Sequence, residues 1–572
     1  MAEQADVVIL GGGLAGLTLA IQIKQRRPET SIVVLERRDK PAPGAAFKVG
    51  ESSMETAGYY FREVIGMGDH LTSVHNKKAG LRFFFPAGDN SDFGKRIEQG
   101  PPVDPDTLGK GGLESYQIDR GVFENALVER AGELGIDVRR GARVEDVELG
   151  DQQQQVTYTR EGQRETITSR WVIDAAGRAF LLKRQLGLLQ DVSHTINSAW
   201  IRLEGGADLE DWVDDPAWFE RMEERGIRKR STNHLMGEGY WVWLIQLGTG
   251  PISIGVCADP RYHPFEQINT LEGFRSWLRE HEPQVAAEID RRPEQIMDFL
   301  KVEDFAYGAK QVFSADGWAL TGEAGAFVDP LYSPGSDMIS FSNTLVTDLV
   351  VRELDGEDIR ERAKTFNDTY LTFFEQVLLP TYTDQYHLFG NAEVMSVKLR
   401  WDDVVRWTVL SLRLMKGKWD DLEFLQRHAE ELERVGRLNI RMQQFFQDWH
   451  ARQHREWQGV FLTTRILPAV GRRLFVLSLP LSDEAIDEMG PENVEFLEAF
   501  AVVTFHRVVP EVLGEELDPA RPINPYAISL DPNRWEADGL FDGTGMTLEE
   551  AQSKTEGIDG IWVDKIAAPV AS

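Results

Sequence analysis

Cysteine is almost missing from this sequence, since Cys257 is the single cysteine among 572 residues. One cysteine cannot form an internal disulfide or a cysteine metal cluster, so nothing indicates an oxidising compartment. Positive charge is scarce as well, because 62 Lys and Arg residues stand against 93 Asp and Glu residues and give a formal net charge of −31. Such a surface repels nucleic acid and anionic membrane, and neither is expected as a partner.

Long apolar runs are also absent. No stretch approaches the roughly 18 apolar residues that a membrane-spanning helix needs. The N-terminal residues MAEQADVVILGGG lack the basic and apolar regions of a signal peptide, so we expect a cytoplasmic protein. The chain is longer than one compact core usually requires, which predicts several substructures.

The sequence does contain a glycine-rich turn between a strand pattern and a helix pattern. The apolar run ADVVIL leads into GGGLAG and then LTLAIQI, which places Gly11, Gly13 and Gly16 in a GxGxxG motif. Glycine there permits a tight turn and the close approach of a diphosphate to the helix N-terminus. The next strand pattern, SIVVLER (31–37), ends in Glu36, which can accept hydrogen bonds from a ribose. This context predicts a dinucleotide site; a solvated charge at the strand end is the alternative for Glu36.

Three later segments complete a resemblance. They are YQIDRGVFENALVERA (116–131), WVIDAAGR (171–178) and WALTGEAGAFVDP (318–330). Together with the glycine motif they resemble the FAD-binding fold of the aromatic hydroxylase and halogenase superfamily. The resemblance implies an α/β fold, in which a Rossmann-like FAD-binding domain is interleaved with a β-sheet substrate domain and followed by a mainly helical C-terminal region.

This fold implies a division of the chain and a set of FAD contacts. The expected parts are an FAD-binding part at 1–185 with a substrate-sheet insertion around 75–115, a β-rich substrate part at 186–310, a second FAD-binding part at 311–372 and a helical region at 373–572. In the superfamily an Arg at the place of Arg120 contacts the FAD phosphates, and a Gly-Asp pair, here Gly322-Glu323, holds the ribityl chain. The expected FAD contacts are Gly11, Gly13, Leu14, Ala15, Gly16, Glu36, Arg37, Ser52, Arg120, Val144, Gly322, Glu323, Pro330, Gly335 and Ser336.

The stretch HNKKAGLRFFF (75–85) places two lysines before an aromatic run. It is similar to the K-A-x-hydrophobic-basic-F pattern of the flavin-dependent halogenases, which puts their active lysine at Lys78 and leaves Lys77 facing solvent. In that family the lysine forms a chloramine with HOCl or activates HOCl through a hydrogen bond. A desolvated lysine has a lowered pKa and therefore supplies some neutral amine. The alternative is a basic strand entrance in which Lys77, Lys78 and Arg82 are all solvated, and Lys48 competes as a phosphate or structural contact.

Two tryptophans alternate in a predicted hairpin. The runs GYWVWLIQL (239–247) and ISIGVCA (252–258) are separated by a turn-forming GTGP. Trp241 and Trp243 share one face of their strand and resemble the halogenase signature WxWxIP, with Gln246 in place of Pro. In the family these residues lie near the flavin and keep the organic substrate away from it. The alternative for this substrate-pocket pair is ordinary core packing.

The segment DPLYSPGSDMISFSN resembles the family loop that lies beside the isoalloxazine and holds halide on backbone N–H groups. Pro334 has no N–H, which moves the expected halide site toward Gly335 and Ser336. Tyr332 stands where tryptophan halogenases carry a Glu, so a phenol or pyrrole is favoured over an indole. Tyr332 and Ser333 join Lys78 as candidate catalytic residues.

The resemblance therefore predicts an FAD-dependent halogenase that uses FADH2, O2 and chloride or bromide on an electron-rich aromatic substrate, free or carrier-bound. No second strand–GxGxxG–helix unit is present, so either a separate flavin reductase supplies FADH2 or NAD(P)H binds transiently at the flavin face. No metal is expected, and the chain could form a homodimer. The first alternative is an FAD monooxygenase or oxidase without halide use, which Pro334 and Gln246 favour. The second is a non-catalytic flavoprotein.

Overall fold

A computed structural model describes residues 3–44, 49–101, 113–223, 225–453, 455–463 and 468–565 of the chain. The competing Lys48 lies outside these residues. The predicted fold class is confirmed: helices and strands alternate around two large β-sheets, and long helices dominate the C-terminal region.

The first sheet, called the nucleotide sheet, contains seven strands and carries the glycine-rich turn. Its central strand, Glu3–Leu10, is buried at its carboxyl end and runs parallel to both of its neighbours. In spatial order the strands are Asp137–Arg140, Ile32–Glu36, Glu3–Leu10, Gln163–Asp174, Gln154–Arg160 and Arg143–Glu148, with Trp318–Leu320 paired to the end of Gln163–Asp174. Because carboxyl ends of parallel strands meet at one edge, the glycine turn, Glu36 and Gly322 come together there.

The second sheet, called the substrate sheet, has eight strands drawn from separate stretches of the chain. In spatial order they are Ile296–Val302, Asn197–Leu203, Ile252–Ala258, Tyr240–Gln246, Thr232–Gly237, Leu81–Phe85, Ile97–Gly100 and Phe461–Thr463. The predicted hairpin is confirmed, since Tyr240–Gln246 and Ile252–Ala258 pair antiparallel. Two short pairs stand apart from both sheets, Asn76–Lys77 with Tyr116–Gln117 and Leu189–Gln190 with Gly308–Ala309.

Helices flank both sheets and form most of the C-terminal region. They are Leu14–Arg26, Glu55–Tyr59, Gly68–Val74, Arg120–Glu133, Leu181–Gln185, Pro216–Phe219, Ile227–Arg230, Leu271–His281, Pro283–Asp290, Pro334–Leu354, Arg360–Thr372, Leu379–Tyr382, Ala392–Arg406, Leu412–Met415, Leu422–Arg427, Ala429–Arg452, Pro468–Phe475, Asp483–Leu513 and Leu548–Lys554. Within the described ranges, none of them has both the length and the apolar composition to cross a bilayer.

One hydrophobic core joins the nucleotide sheet to the C-terminal helices. Its members include Val8 of the central strand, Phe341 of the Pro334–Leu354 helix and Trp401 of the Ala392–Arg406 helix. A second, smaller core lies between the substrate sheet and the helices Leu271–His281 and Pro283–Asp290. The C-terminal helices therefore pack on the FAD-binding part and help to position its residues.

Candidate active site

The glycine-rich turn has no room for side chains. Gly11 has a φ of +114°, and a Cβ there would lie 2.5 Å from the carbonyl oxygen of Ala175. A Cβ at Gly16 would lie 2.0 Å from the carbonyl oxygen of Gly11. The turn thus folds tightly onto the neighbouring strand, and Gly13 precedes the helix that begins at Leu14. Helix N–H groups at such a turn suit a diphosphate.

Glu36 lies beside this turn, as predicted for a ribose contact. Its carboxylate accepts hydrogen bonds from the Gly12 N–H at 2.9 Å and from the Arg38 N–H at 2.9 Å. The Arg38 guanidinium pairs with the same carboxylate at 3.2 Å, whereas the Arg37 side chain is exposed. Sequence reasoning missed Arg38. The two-residue alternation of strand side chains, continued past Glu36, would have favoured it over Arg37.

A cavity of about 210 Å³ is lined by residues of the substrate sheet, of segments that follow strands of the nucleotide sheet and of the Pro334–Leu354 helix. The predicted site residues that line it are Ser52, Arg120, Trp241, Trp243, Gly322, Glu323, Pro330, Ser333, Gly335 and Ser336. The glycine turn and Glu36 lie at the nucleotide-sheet edge beyond it. Val144 is half-buried in the strand Arg143–Glu148 at the end of that sheet.

Arg120 is held at the cavity wall by a backbone carbonyl and by a carboxylate. Its Nη1 donates to the carbonyl oxygen of Val49 at 3.0 Å, and its Nη2 pairs with Glu124 at 2.9 Å. A Cβ at Gly50 would lie 2.6 Å from Nη1, so this stretch of chain approaches the guanidinium closely. Its buried Nε has no hydrogen-bond partner among the described residues. A fixed guanidinium of this kind suits a phosphate.

Gly322 closes the other side of the site against the first helix. With a φ of +58°, it would place a Cβ 2.8 Å from the Cβ of Ala15. The next side chain, Glu323, is exposed at the cavity, and its carbonyl oxygen accepts from the Tyr307 hydroxyl at 2.9 Å. The two glycine segments therefore form a narrow cradle with Arg120 on its wall. This combination fits a flavin dinucleotide.

Trp243 is anchored through a hydroxyl to a buried carboxylate. Its indole N–H donates to Ser253 Oγ at 3.0 Å, and Ser253 donates to Glu51 at 3.1 Å. Arg202 pairs with Glu51 at 2.8 Å. Burial raises the pKa of Glu51, while the positive charge of Arg202 opposes that shift. The residue Glu51 thus fixes the ring that lines the cavity.

Trp241 is anchored in the same way from the C-terminal region. Its indole N–H donates to the Tyr386 hydroxyl at 3.0 Å, which donates to Asp329 at 2.5 Å. His194 contacts the same carboxylate oxygen at 2.9 Å. The two tryptophan rings lie 5.7 Å apart, and both are buried at the cavity. The geometry is therefore compatible with both interpretations of the two tryptophans, as buried core residues and as residues of the pocket wall.

The predicted halide loop is tightly folded. Asp329 accepts from the Leu331 N–H at 2.9 Å, and the Ser333 N–H donates to the Pro330 carbonyl at 2.9 Å. Ser333 has a φ of +56°, a strained value for a side chain other than glycine. The helix then begins at Pro334, so Gly335 follows as the first residue with an N–H donor.

Tyr332 faces away from the cavity. It is buried, and its hydroxyl donates to Asp402 at 2.9 Å. Lys398 pairs with the same carboxylate oxygen at 2.8 Å. Burial and the charge of Asp402 raise the pKa of Tyr332. The structure thus places this candidate catalytic residue in a buried contact with the C-terminal helices.

The two adjacent lysines have different environments. Lys78 is 2% exposed, and its Nζ donates to Ser52 Oγ at 2.7 Å, to the Ser53 carbonyl at 2.9 Å and to Met54 Sδ at 3.3 Å. Burial lowers its pKa to about 7. Lys77 forms an ion pair with Glu114 at 2.8 Å. The alternative of a solvated basic entrance is wrong, because both Lys78 and Arg82 are buried.

One layer of hydroxyl groups separates the Lys78 amine from the cavity. Ser52 Oγ, which accepts from Lys78, lies 3.0 Å from Thr232 Oγ1. Both Ser52 and Thr232 line the cavity. A small polar molecule in the cavity would therefore reach the Ser52 hydroxyl, which contacts the lysine.

Three charged residues near Lys78 were not predicted. Arg406, at the end of the helix Ala392–Arg406, pairs with Glu55 at 3.0 Å. Asp337 is fully buried and accepts from the Ala57 N–H at 3.0 Å; burial raises its pKa to about 7. Asp337 lies within the segment that resembles the halide loop, directly after Ser336, so its position was a usable signal. Nothing local marks Arg406, since it lies 328 positions after Lys78 in the sequence (406 − 78).

Comparison with known proteins matches a family model described as FAD binding domain over residues 4–251. The flavin-dependent halogenase chlA of Dictyostelium discoideum is 26% identical over 429 residues, which cover 71% of this chain and 70% of that protein. The tetracycline 7-halogenase of Kitasatospora aureofaciens is 24% identical over 482 residues, covering 75% of this chain and 82% of that protein. The 1H-pyrrole-2-carbonyl-[peptidyl-carrier protein] chlorinase of Pseudomonas fluorescens is 25% identical over 385 residues, with 63% and 78% covered.

Solved structures share the fold. The halogenase PltM in complex with phloroglucinol and FAD has a TM-score of 0.56 at 18% identity, covering 87% of this chain and 96% of that one. The flavin-dependent halogenase CmlS has a TM-score of 0.52 at 21% identity, covering 77% of this chain and 72% of that one.

Proposed function

The chain belongs to the flavin-dependent halogenase family, and we propose that it halogenates an electron-rich aromatic substrate with hypohalous acid that reacts at Lys78. The observation that carries the proposal is the buried Lys78 amine behind the Ser52 hydroxyl of the cavity wall. A lysine held away from water, beside a site that fits a flavin, is the arrangement this reaction requires.

The residues that would bind FAD are those that form the narrow cradle. The glycine turn and the helix that begins at Leu14 would bind the diphosphate, Glu36 the ribose, and Arg120 a phosphate. Gly322 and Glu323 would lie along the ribityl chain. When bound in reduced form, FAD supplies with O2 the oxidising power that converts halide to hypohalous acid; we propose that a separate reductase delivers it.

The halide would bind near the start of the Pro334–Leu354 helix. Gly335 and Ser336 offer the first N–H groups at a helix N-terminus that opens onto the cavity. Such groups lack intrahelical partners and favour anions. Trp241 and Trp243, fixed by their hydrogen bonds, would keep the aromatic substrate on the far side of this wall.

The halogen is transferred twice, first from HOX to the Lys78 nitrogen and then from that nitrogen to the arene. The neutral Lys78 amine attacks the halogen of HOX, the O–X bond breaks, an N–X bond forms, and the amine proton leaves with hydroxide as water. The arene then attacks the halogen of the N–X bond, and the proton lost from the arene returns to the nitrogen. Ser52 and Thr232 would pass the proton between the cavity and the amine, since their hydroxyls lie 3.0 Å apart.

The proposed substrate is a phenol or a pyrrole. Tyr332 occupies the place of the family's glutamate, and its hydroxyl is committed to Asp402, so the site offers no carboxylate there for a less reactive indole. Relatives support this class: one acts on a carrier-bound pyrrole-2-carbonyl group, and a structural neighbour holds phloroglucinol. Both free and carrier-bound substrates remain within the proposal.

The direct test supplies the enzyme with FAD, a flavin reductase, NADH and bromide, and traps HOBr with monochlorodimedone. We expect trapping that depends on bromide, on the reductase and on the enzyme. Lack of bromide-dependent trapping, together with substrate-linked NADPH oxidation in the absence of reductase, would contradict the proposal.

The second candidate is an FAD monooxygenase that uses no halide. Pro334 favours it, because proline removes one N–H donor from the start of the helix beside the cavity. The same reaction distinguishes the two candidates by mass spectrometry of the aromatic product. A gain of bromine supports the halogenase, and a gain of oxygen that persists without halide supports the monooxygenase.

A further inference from the structure

We propose that Arg406, in the C-terminal helical region, is a positioning residue for Lys78: its guanidinium pairs with Glu55 and faces Asp337, two carboxylates close to the lysine, and so keeps them from pairing with the lysine amine. The inference rests on the proposed function, because it concerns the form of Lys78 that accepts the halogen. It extends the active site to a residue far outside the matched FAD-binding segment.

The Arg406 guanidinium lies close to three carboxylates. Its Nη1 lies 3.0 Å from Glu55 Oε2 and 3.9 Å from Asp337 Oδ2, and its Nη2 lies 3.8 Å from Asp403. The buried Asp337 Oδ2 has no hydrogen-bond partner among the described residues, so the nearby guanidinium is its compensating charge. One cation is thus shared among three carboxylates that come from three different helices.

Lys78 itself hydrogen-bonds to neutral groups. Its three acceptors are the Ser52 hydroxyl, the Ser53 carbonyl and the Met54 sulfur. Glu55 follows Met54 directly in the chain, yet its carboxylate is turned to Arg406. The Glu55 carboxylate therefore pairs with Arg406 and not with Lys78.

The charges that face Lys78 come from four packed elements. Glu55 and Asp337 favour its ammonium form, and Arg406 opposes it. On the neighbouring strand, burial lowers the pKa of His234 to about 3, so this imidazole is neutral at ordinary pH. Asp403 belongs to the same helix as Arg406 and is partly compensated by it. Burial remains the largest cause of the lowered pKa of Lys78.

The backbone holds Arg406 in this place. The helix that it ends continues as one π-helical turn, Trp407–Ser411. Ser411 Oγ lies 2.7 Å from Thr56 Oγ1, next to Glu55, and this buried contact ties the two helices together. π-Helical turns inside helices often occur at functional sites. Arginine also keeps its charge at any working pH, which makes it suited to a fixed electrostatic role.

Removing this charge should make Lys78 a stronger base. In an Arg406→Met variant, the guanidinium no longer repels the ammonium and the Glu55 carboxylate is uncompensated, so the ammonium is stabilised. The titration midpoint of Lys78 should rise by about one pH unit, which corresponds to the effect of a nearby charge in a partly buried site. Arg406→Lys keeps the charge and should leave the midpoint close to the wild-type value. Glu55→Gln removes a carboxylate and should shift it in the opposite direction.

The measurement is a pH titration of the full-length, FAD-bound protein labelled with ¹³Cε-lysine and followed by NMR. A Lys78→Met variant assigns the Lys78 signal. The proposal is supported by an upward shift in Arg406→Met with rescue in Arg406→Lys. It is overturned by a wild-type midpoint in Arg406→Met, or by a shift in Arg406→Lys as large as that in Arg406→Met, which would indicate lost packing.

If Arg406→Met does not fold, Arg406→Gln takes its place: an upward shift supports the proposal and a wild-type midpoint overturns it. The titration needs no halogenation, so its result is separate from the proposed function. A wild-type enzyme that fails to trap HOBr would overturn the function and leave the titration readable.

Discussion

At the residue scale, Lys78 and Lys77 show how neighbouring lysines acquire different chemistry. The Lys77 amine reaches Glu114 as an ordinary ion pair, whereas the Lys78 amine is enclosed and bound to neutral acceptors. Gly80 has a φ of +72° and lies in the turn between the short strand at Lys77 and the strand Leu81–Phe85. Because the chain turns here, the Lys78 side chain lies in the protein interior.

The enclosed lysine gives a pH-dependent term in stability. Its folded pKa is about 7 and its ordinary value is 10.5, so between these values the unfolded chain binds a proton that the folded chain does not. The free energy of unfolding should therefore rise with pH across this window by up to about 1.4 kcal/mol per pH unit relative to a Lys78→Met variant.

Guanidinium unfolding at pH 7, 8 and 9 checks this difference. Lys77→Met is the matched control, because that lysine is half-buried and paired, and its variant should follow the wild-type slope. Parallel slopes for wild type and Lys78→Met would show that the lysine is not held neutral.

Some residues around the site could be predicted from the sequence, and others could not. The glycine turn and Glu36 follow a local strand–turn–helix pattern, whereas Lys78 was identified by its resemblance to the K-A-x-hydrophobic-basic-F pattern of the halogenases. Arg38 was missed in favour of Arg37 because the pattern did not fix which side chain turns inward. Arg406 has no local pattern at all, because its role arises from packing between distant elements.

At the element scale, the predicted halide loop is held by a hydrogen-bonded chain that starts in the substrate sheet. Trp241 on its strand reaches Tyr386, and Tyr386 reaches Asp329 at the start of the loop. Gln246, which replaces the family's proline, donates across the hairpin turn to the Gly250 carbonyl at 2.7 Å. The hairpin was predictable from its alternation, but the partner that anchors its tryptophan lies over 100 residues downstream.

Tyr386→Phe tests this anchor. The change leaves the Trp241 N–H without its acceptor and removes one donor from Asp329, both buried. It should lower the free energy of unfolding by about 1–3 kcal/mol, the cost of leaving a buried polar group unpaired. It should also raise the KM for bromide, because the loop that carries Gly335 is less well fixed.

Thermal unfolding and bromide kinetics provide the measurements. Tyr370→Phe is the matched control, since its buried hydroxyl has no hydrogen-bond partner among the described residues and its loss should be close to neutral. Equal stability of the two variants would contradict the anchoring role of Tyr386.

At the scale of the whole molecule, the C-terminal helices contact residues of the candidate active site. The sequence predicted a mainly helical C-terminal region, but it did not predict that this region would supply Tyr386, Asp402 and Arg406 to the contacts described above. The continuous core explains why: the Ala392–Arg406 helix packs in the same hydrophobic cluster as the nucleotide sheet. Contacts of this kind depend on tertiary packing, which a single sequence does not display.

A shared core predicts cooperative unfolding. Trp401 is fully buried, donates to Asn439 at 2.9 Å and packs on Phe500 at 5.5 Å. Trp401→Ala should cost about 3–5 kcal/mol and lower the temperature of FAD release together with that of helix loss. Calorimetry and flavin fluorescence, recorded in parallel, check the coincidence; an FAD release temperature unchanged by the substitution would indicate independent units.

The central claim is that hypohalous acid made at the flavin reaches the arene through Lys78. The most direct measurement compares wild type with Lys78→Met, using a flavin reductase, NADH, bromide and a phenol, with free methionine added to remove HOBr that escapes. We expect both enzymes to generate HOBr, as monochlorodimedone reports in parallel reactions without methionine, while the variant loses at least about 100-fold of the protected bromination of the phenol seen by mass spectrometry. A Lys78→Met enzyme that brominates the phenol at the wild-type rate in the presence of methionine would contradict the account.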